Sequence, residues 1–293
     1  APLSGFRVDV VGGLAYVGGS DFTVVGVGEP TGPRTVAATD DAEWQYAVDV
    51  EVVDGRAYVA DLFKGTRIYD VSHLPRLDVL GQVEPELALV VGAVDVVGTI
   101  AYLAAYPGLY AIDVQNPGAA VVVGAVEVPG AVYDAAIDGH VVCGAAGSDG
   151  LALVDVADPA HLAVVGQHTM LNEVADLALG PGVAYVAADD SLFTLGRADP
   201  ASPAAHWQVA IDGAISVAAA GSIAAVGSFP VEHDIRLLDI SASGAPVLAG
   251  AVGVDGWVDA LFVSGPLVYV ASDGTSEFTG EHEFSVVDAT TPA

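Results

Sequence analysis

One short pattern recurs seven times in this chain, about 42 residues apart, and that period limits the possible folds more than any other feature. Each copy opens with a glycine and a small apolar strand: Gly13-Leu-Ala-Tyr-Val17, Gly55-Arg-Ala-Tyr-Val59, Gly98-Thr-Ile-Ala-Tyr-Leu103, Gly139-His-Val-Val-Cys143, Gly182-Val-Ala-Tyr-Val186, Gly221-Ser-Ile-Ala-Ala-Val226 and Gly265-Pro-Leu-Val-Tyr-Val270. A second strand follows, usually closed by Asp, as in Thr66-Arg-Ile-Tyr-Asp70 and Leu151-Ala-Leu-Val-Asp155; the first and fifth copies are weaker there. A repeat of this length with four strand-sized segments is the signature of a β-propeller blade. The expectation is an all-β fold, a seven-bladed β-propeller of four-stranded antiparallel blades, with residues 1–293 forming one domain. Short β-branched runs abound and no long segment has the helical period, so almost no helix is expected.

The second repeat shows the four strands clearly, at 47–53, 56–60, 66–71 and 77–83, with Asp54-Gly55 as a hairpin turn. After the third strand comes an Asp followed within a few residues by Pro. The aspartates Asp70, Asp113, Asp155, Asp199, Asp239 and Asp288 are read as turn residues that bond their own downstream backbone, not as catalytic groups. The segment Ala1-Pro-Leu-Ser-Gly5 is similar to Ala245-Pro-Val-Leu-Ala-Gly250, which opens a fourth strand. The N-terminal residues are therefore expected to close the last blade.

The formal charge is −30, from 38 acidic and 8 basic residues, with lysine only at Lys64. Such a surface repels phosphate backbones and anionic lipid, so nucleic acid is not an expected partner. Cys143 is the single cysteine, which excludes an internal disulfide, and its place in a strand marks it as a small buried hydrophobe. The uncharged stretch Gly213–Val231 is long enough to raise the membrane question, but Gly, Ser and a repeat boundary break it, and no transmembrane segment is expected. The Ala1-Pro2 start fits a mature secreted product or an artificially trimmed chain, and a monomer is expected.

The blocks Gly55-Arg-Ala-Tyr-Val-Ala-Asp61 and Leu151-Ala-Leu-Val-Asp-Val-Ala-Asp-Pro159 resemble the LVIVD-repeat family of bacterial and archaeal propellers. The resemblance implies a propeller fold and an exported or cell-surface location, and it carries no shared catalytic motif. The first and fifth repeats depart from the family pattern at the closing Asp.

In a propeller the first strand of each blade lines the central channel, and the connections into it share one face with the turns between strands two and three. Asp49, Asp134, Asp176 and Asp259 occupy a similar place in four first strands, with Ser216, Arg7 and Gly92 at the matching points of the sixth, first and third. Converging carboxylates either bond neighbouring blades, share a divalent cation such as Ca²⁺ or Zn²⁺, or act as acid and base. Trp44, Tyr46, Tyr133, Glu173 and Trp257 precede these strands and form a candidate ligand-binding rim, where aromatic rings would stack on a sugar or hold a cation. His168 precedes the fifth first strand, and His233 and His282 lie in near-copies, Glu232-His-Asp234 and Glu281-His-Glu283. With Asp134 they are the candidate catalytic groups.

Two functions remain open on sequence. One is an extracellular or surface-associated, non-catalytic propeller recognising a protein or glycan on its loop face. The other is a lyase or hydrolase acting on a polysaccharide or small ligand at an acidic channel mouth, for which a divalent metal is a candidate cofactor.

Overall fold

The computed structural model describes residues 7–290 apart from 30–31, 40–45, 87, 89, 131, 170, 172, 202, 229–233, 243, 255–256 and 274–281; for Trp257, Asp273, His282 and Glu283 it describes backbone only. Among these residues the strands form seven antiparallel sheets, at 8–38, 47–83, 90–127, 134–168, 176–210, 214–253 and 257–288. We number them blades 1 to 7. Six hold four strands in sequential order, and the seventh holds three. Each innermost strand touches those of both neighbouring blades, and the first touches the seventh, so the sheets close a ring. The segment expected to supply the last outer strand, Ala1–Gly5, lies outside the described residues.

The repeated Ala-Tyr pair explains why the sheets stack face to face. Side chains alternate across a strand, so neighbours in sequence face opposite blades. Tyr58 and Tyr102 pack toward the following blade, whereas Ala57 and Ala101 pack toward the preceding one. A large side chain on one face thus meets a small one on the next. Seven apolar cores result, one between each pair of neighbours, and the core of Val8, Ala15, Val25 and Val27 with Ala260 and Tyr269 joins blade 1 to blade 7. Cys143 takes the tyrosine position in blade 4; it is fully buried, and burial pushes its thiol up to about 11. It is a core residue.

The turns follow the sequence closely. Asp54 and Gly55 both have positive φ, at 52° and 74°, as a primed hairpin turn requires. All six closing aspartates accept a hydrogen bond from the backbone N–H two residues on, at 2.8–3.1 Å. In blade 2 the strands run Ala47–Val53, Arg56–Asp61, Gly65–Asp70 and Asp78–Val83, within about one residue of expectation at each end. The described residues hold one 3-10 turn, Pro117–Ala119, and no helix long and apolar enough to cross a membrane.

Candidate functional site: the hub and the loop rim

The innermost strand of a blade is a sheet edge, and every other N–H on it points toward the channel with no strand partner. This chain answers with side chains. Asp49 accepts a hydrogen bond from Val94 N–H at 2.7 Å, Asp134 from Leu177 N–H at 2.8 Å, and Asp176 from Val217 N–H at 2.7 Å. Each joins one blade to the next. Blades 1 and 3 have Arg7 and Ala93 at this level, and there the acid sits two residues along the same face. Asp9 accepts from Val52 N–H at 2.9 Å and Asp95 from Ile137 N–H at 2.8 Å. Between blades 6 and 7 the Ser216 hydroxyl donates to Val258 C=O at 3.3 Å. Hydrogen bonds of this charge-assisted kind contribute about 1.5–3 kcal/mol each.

A single cation balances the upper level. Arg7 Nη2 lies 2.7 Å from Asp134 Oδ1 and Nη1 lies 2.5 Å from Asp176 Oδ1. Burial pulls the guanidinium down, but Asp134, Asp176 and Asp49 together outweigh it and hold Arg7 above the ordinary arginine range. The opposite imbalance acts on the acids. Burial, with Asp176 close by, raises Asp134 well above the usual carboxylate range against the pull of Arg7. Asp49 and Asp95 are pushed up to about 6, mainly by burial.

Below this level the strands enclose a cavity of about 260 Å³ lined from all seven blades. Opposite the strand-two tyrosine position, blades 1 to 3 present Asp9, Glu51 and Asp95, blades 4 to 6 present Ala136, Ala178 and Ala218, and blade 7 presents Phe262. Glu51 is the surplus acid: blade 2 already has Asp49 as its fastener. Burial and then Asp9, Asp95 and Asp49 push Glu51 up to about 9, so it is a neutral carboxylic acid at physiological pH.

The rim of the loop face is built differently. Tyr46, Phe63, Tyr106 and Tyr133 are 45–54% exposed there, in three consecutive blades. Tyr46 and Phe63 meet edge to face at 5.7 Å. The buried Asp61 carboxylate holds both, accepting from Tyr46 N–H at 3.3 Å and Phe63 N–H at 3.0 Å. Between them in sequence, Leu62 C=O accepts from Val91 N–H of blade 3 at 2.9 Å. Tyr106 pairs in register with Val90, and Gly92 lies so close to Tyr133 that a Cβ there would meet its backbone at 2.7 Å. The backbones that carry all four rings therefore lie beside the strip Val90–Gly92.

Several sequence expectations meet this geometry directly. Asp49, Asp134 and Asp176 do converge at the hub, where each accepts a backbone N–H of the neighbouring blade and the last two also hold Arg7. Among the described residues no group of three His, Cys, Asp or Glu side chains is arranged to hold a metal. Asp259 is one residue out of register. Ala260, paired with Ala271, matches Asp49 paired with Ala60, and Asp259 falls in the bulge. In the third blade the matching residue is likewise Ala93, not Gly92. His168 does not join Asp134. The register runs Asp134–Ala145–Leu151–His168 across the sheet, three strand spacings or about 14 Å apart. Tyr46 and Tyr133 are rim residues, and Glu173 is exposed at the junction of blades 4 and 5 with φ 49°. Trp44 and His233 lie outside the described residues, as do the side chains of Trp257 and His282. Sequence reasoning missed Asp9, Glu51 and Asp95, although the two-residue period from Arg7 and Asp49 leads to the first two. It also missed Phe63, in the turn after strand two of blade 2, and Tyr106, at the end of strand two of blade 3, where the blades differ in residue type.

The LVIVD repeat matches residues 45–83 and 129–169, which are blades 2 and 4. The chain carries LVIVD repeats. The matched segments include the Ala57-Tyr58 pair and the turn aspartates Asp70 and Asp155 described above. No curated protein sequence matches the chain. Among solved structures it is similar to a functionally unknown protein from Desulfotomaculum acetoxidans, with a TM-score of 0.73 and 13% identity over 98% of this chain and 93% of that one. It is also similar to a chain of a mitotic checkpoint complex (TM-score 0.75, 14% identity, 98% and 87% covered). A third is the β-propeller domain of Cps50 (Swd1) from Myceliophteria thermophila (TM-score 0.72, 13% identity, 95% and 94% covered). At these identities the likeness is one of fold.

Proposed function

We propose that this LVIVD-repeat propeller is a non-catalytic binding module whose loop face recognises a protein or glycan ligand, working outside the cytoplasm or at the cell surface. The observation that carries the reading is the cluster of four exposed aromatic residues around Val90–Gly92. Exposed rings gathered in one place are costly to a soluble surface and are characteristic of interaction sites. They do not serve the ring, whose seven cores and hub fasteners lie elsewhere. The hub is a poor candidate for the paired acid–base work considered above, since Asp134 and His168 stand about 14 Å apart.

The test is binding of arrayed glycans and cell-surface proteins to the wild type and to a Tyr46→Ser/Phe63→Ser variant. The reading expects a stoichiometric complex that the variant loses while its melting temperature is retained. Turnover of a substrate without a stoichiometric complex, unaffected by the rim substitutions, would contradict it. Fractionation of the source cells tests the location: recovery in the soluble cytoplasmic fraction alone would overturn that part.

A further inference from the structure

We propose that the ligand of the loop face is a peptide segment bearing lysine or arginine side chains. This rests on the reading of that face as the binding surface and names the chemistry of what it binds. The aromatic cluster is ringed by carboxylates. Glu84 and Glu86 lie on the connection that leads into Val90–Val97, and both are exposed. Glu127 is exposed and pairs in register with Gly108, two residues after Tyr106. Asp149 is exposed on the turn that begins at Gly147, where a Cβ would meet the Tyr133 ring at 2.8 Å. Lys64 adjoins Phe63 and is outnumbered by these acids.

Aromatic faces attract ammonium and guanidinium groups, and the apolar stems of Lys and Arg cover the rings while the charged ends reach nearby carboxylates. The rim is preorganised for this, because Asp61 fixes the backbones of Tyr46 and Phe63 and Gly92 seats that of Tyr133. A neutral sugar would also stack on the rings, but it would leave the surrounding carboxylates without counter-charge. A second copy of a chain with formal charge −30, or an acidic glycan, would be repelled.

The experiment is calorimetric titration of the full chain at about 0.15 M salt with three probes: a peptide of alternating Lys and Gly, the same peptide with Glu in place of Lys, and a neutral linear oligosaccharide. Each is repeated with Tyr46→Ser/Phe63→Ser, with Tyr133→Ser, and with Trp207→Ser as a control in an exposed aromatic of the outermost strand of blade 5. The Lys peptide is expected to bind the wild type and the Trp207 variant alike, and to lose roughly tenfold or more in affinity for each rim variant. The Glu peptide is expected not to bind. Equal binding of the Lys peptide to rim variants and wild type marks diffuse charge attraction and overturns the proposal, as does no binding at all. Oligosaccharide binding that the rim substitutions abolish overturns the peptide and leaves the loop-face reading standing. Catalysis indifferent to the rim would overturn that reading as well.

Discussion

The hub and the rim use the same residue types for opposite ends. At the hub, carboxylates face inward and accept backbone N–H groups of the next blade, with Arg7 bridging Asp134 and Asp176. At the rim, carboxylates and aromatic rings face solvent, and the one buried acid, Asp61, serves to fix two of those rings. A carboxylate-rich channel in a propeller therefore is not by itself a site. What separates the two regions is whether the polar groups already have partners within the chain.

That contrast can be broken by substitution. Arg7→Met should have the largest effect, a loss of about 3–5 kcal/mol in denaturant unfolding, because it leaves Asp134 and Asp176 buried without their cation. Adding Asp134→Asn and Asp176→Asn to it should recover much of the loss. Asp134→Ala alone should cost about 1–3 kcal/mol by stranding the Leu177 N–H, with Asp134→Asn milder because its amide oxygen still accepts.

A pH titration of stability sharpens the contrast further. Asp49, Asp95 and Glu51 hold their protons more tightly in the fold than in the unfolded chain. Their contribution is therefore complete in acid and is lost as pH rises, through about 6 for the two aspartates and about 9 for Glu51. Glu51→Gln should abolish the part of the decline that runs from about pH 6 to about pH 9, where the wild-type curve levels off, and leave the part that the two aspartates cause below about pH 6. Melting curves in which stability climbs between pH 6 and 10 would contradict the account of the hub. At the small end, Tyr46→Ser and Tyr133→Ser should each change stability by no more than ~0.5 kcal/mol, since both rings are about half exposed.

Much of the ring was legible in the sequence because the repeat encodes it locally. The glycine before each second strand, the Ala-Tyr pair and the closing Asp each do a local job, so reading one blade reads most of the others. The hub was legible only in part. Asp49, Asp134 and Asp176 share a level because their strands share a register, but in blade 7 the glycine opens the hairpin turn (Gly265-Pro266) whereas in blade 2 it closes it (Asp54-Gly55), so counting back from the glycine reaches Asp259 one residue before the level. The rim was hardest to read: Phe63 and Tyr106 come from the ends of strand two and the turns after it, where the blades differ, and only folding shows that both lie beside Val90–Gly92 with Tyr133.

Side chains of one blade fasten the exposed edge of the next, and native-state hydrogen exchange reads that fastening amide by amide. The amides of Val52, Val94, Ile137, Leu177 and Val217 have no strand partner on the channel side; their acceptors are Asp9, Asp49, Asp95, Asp134 and Asp176. They should exchange as slowly as amides inside the sheets, and Asp134→Ala should release Leu177 while the other four stay protected. Exchange of all five at the rate of open loops in the wild type would contradict the claim.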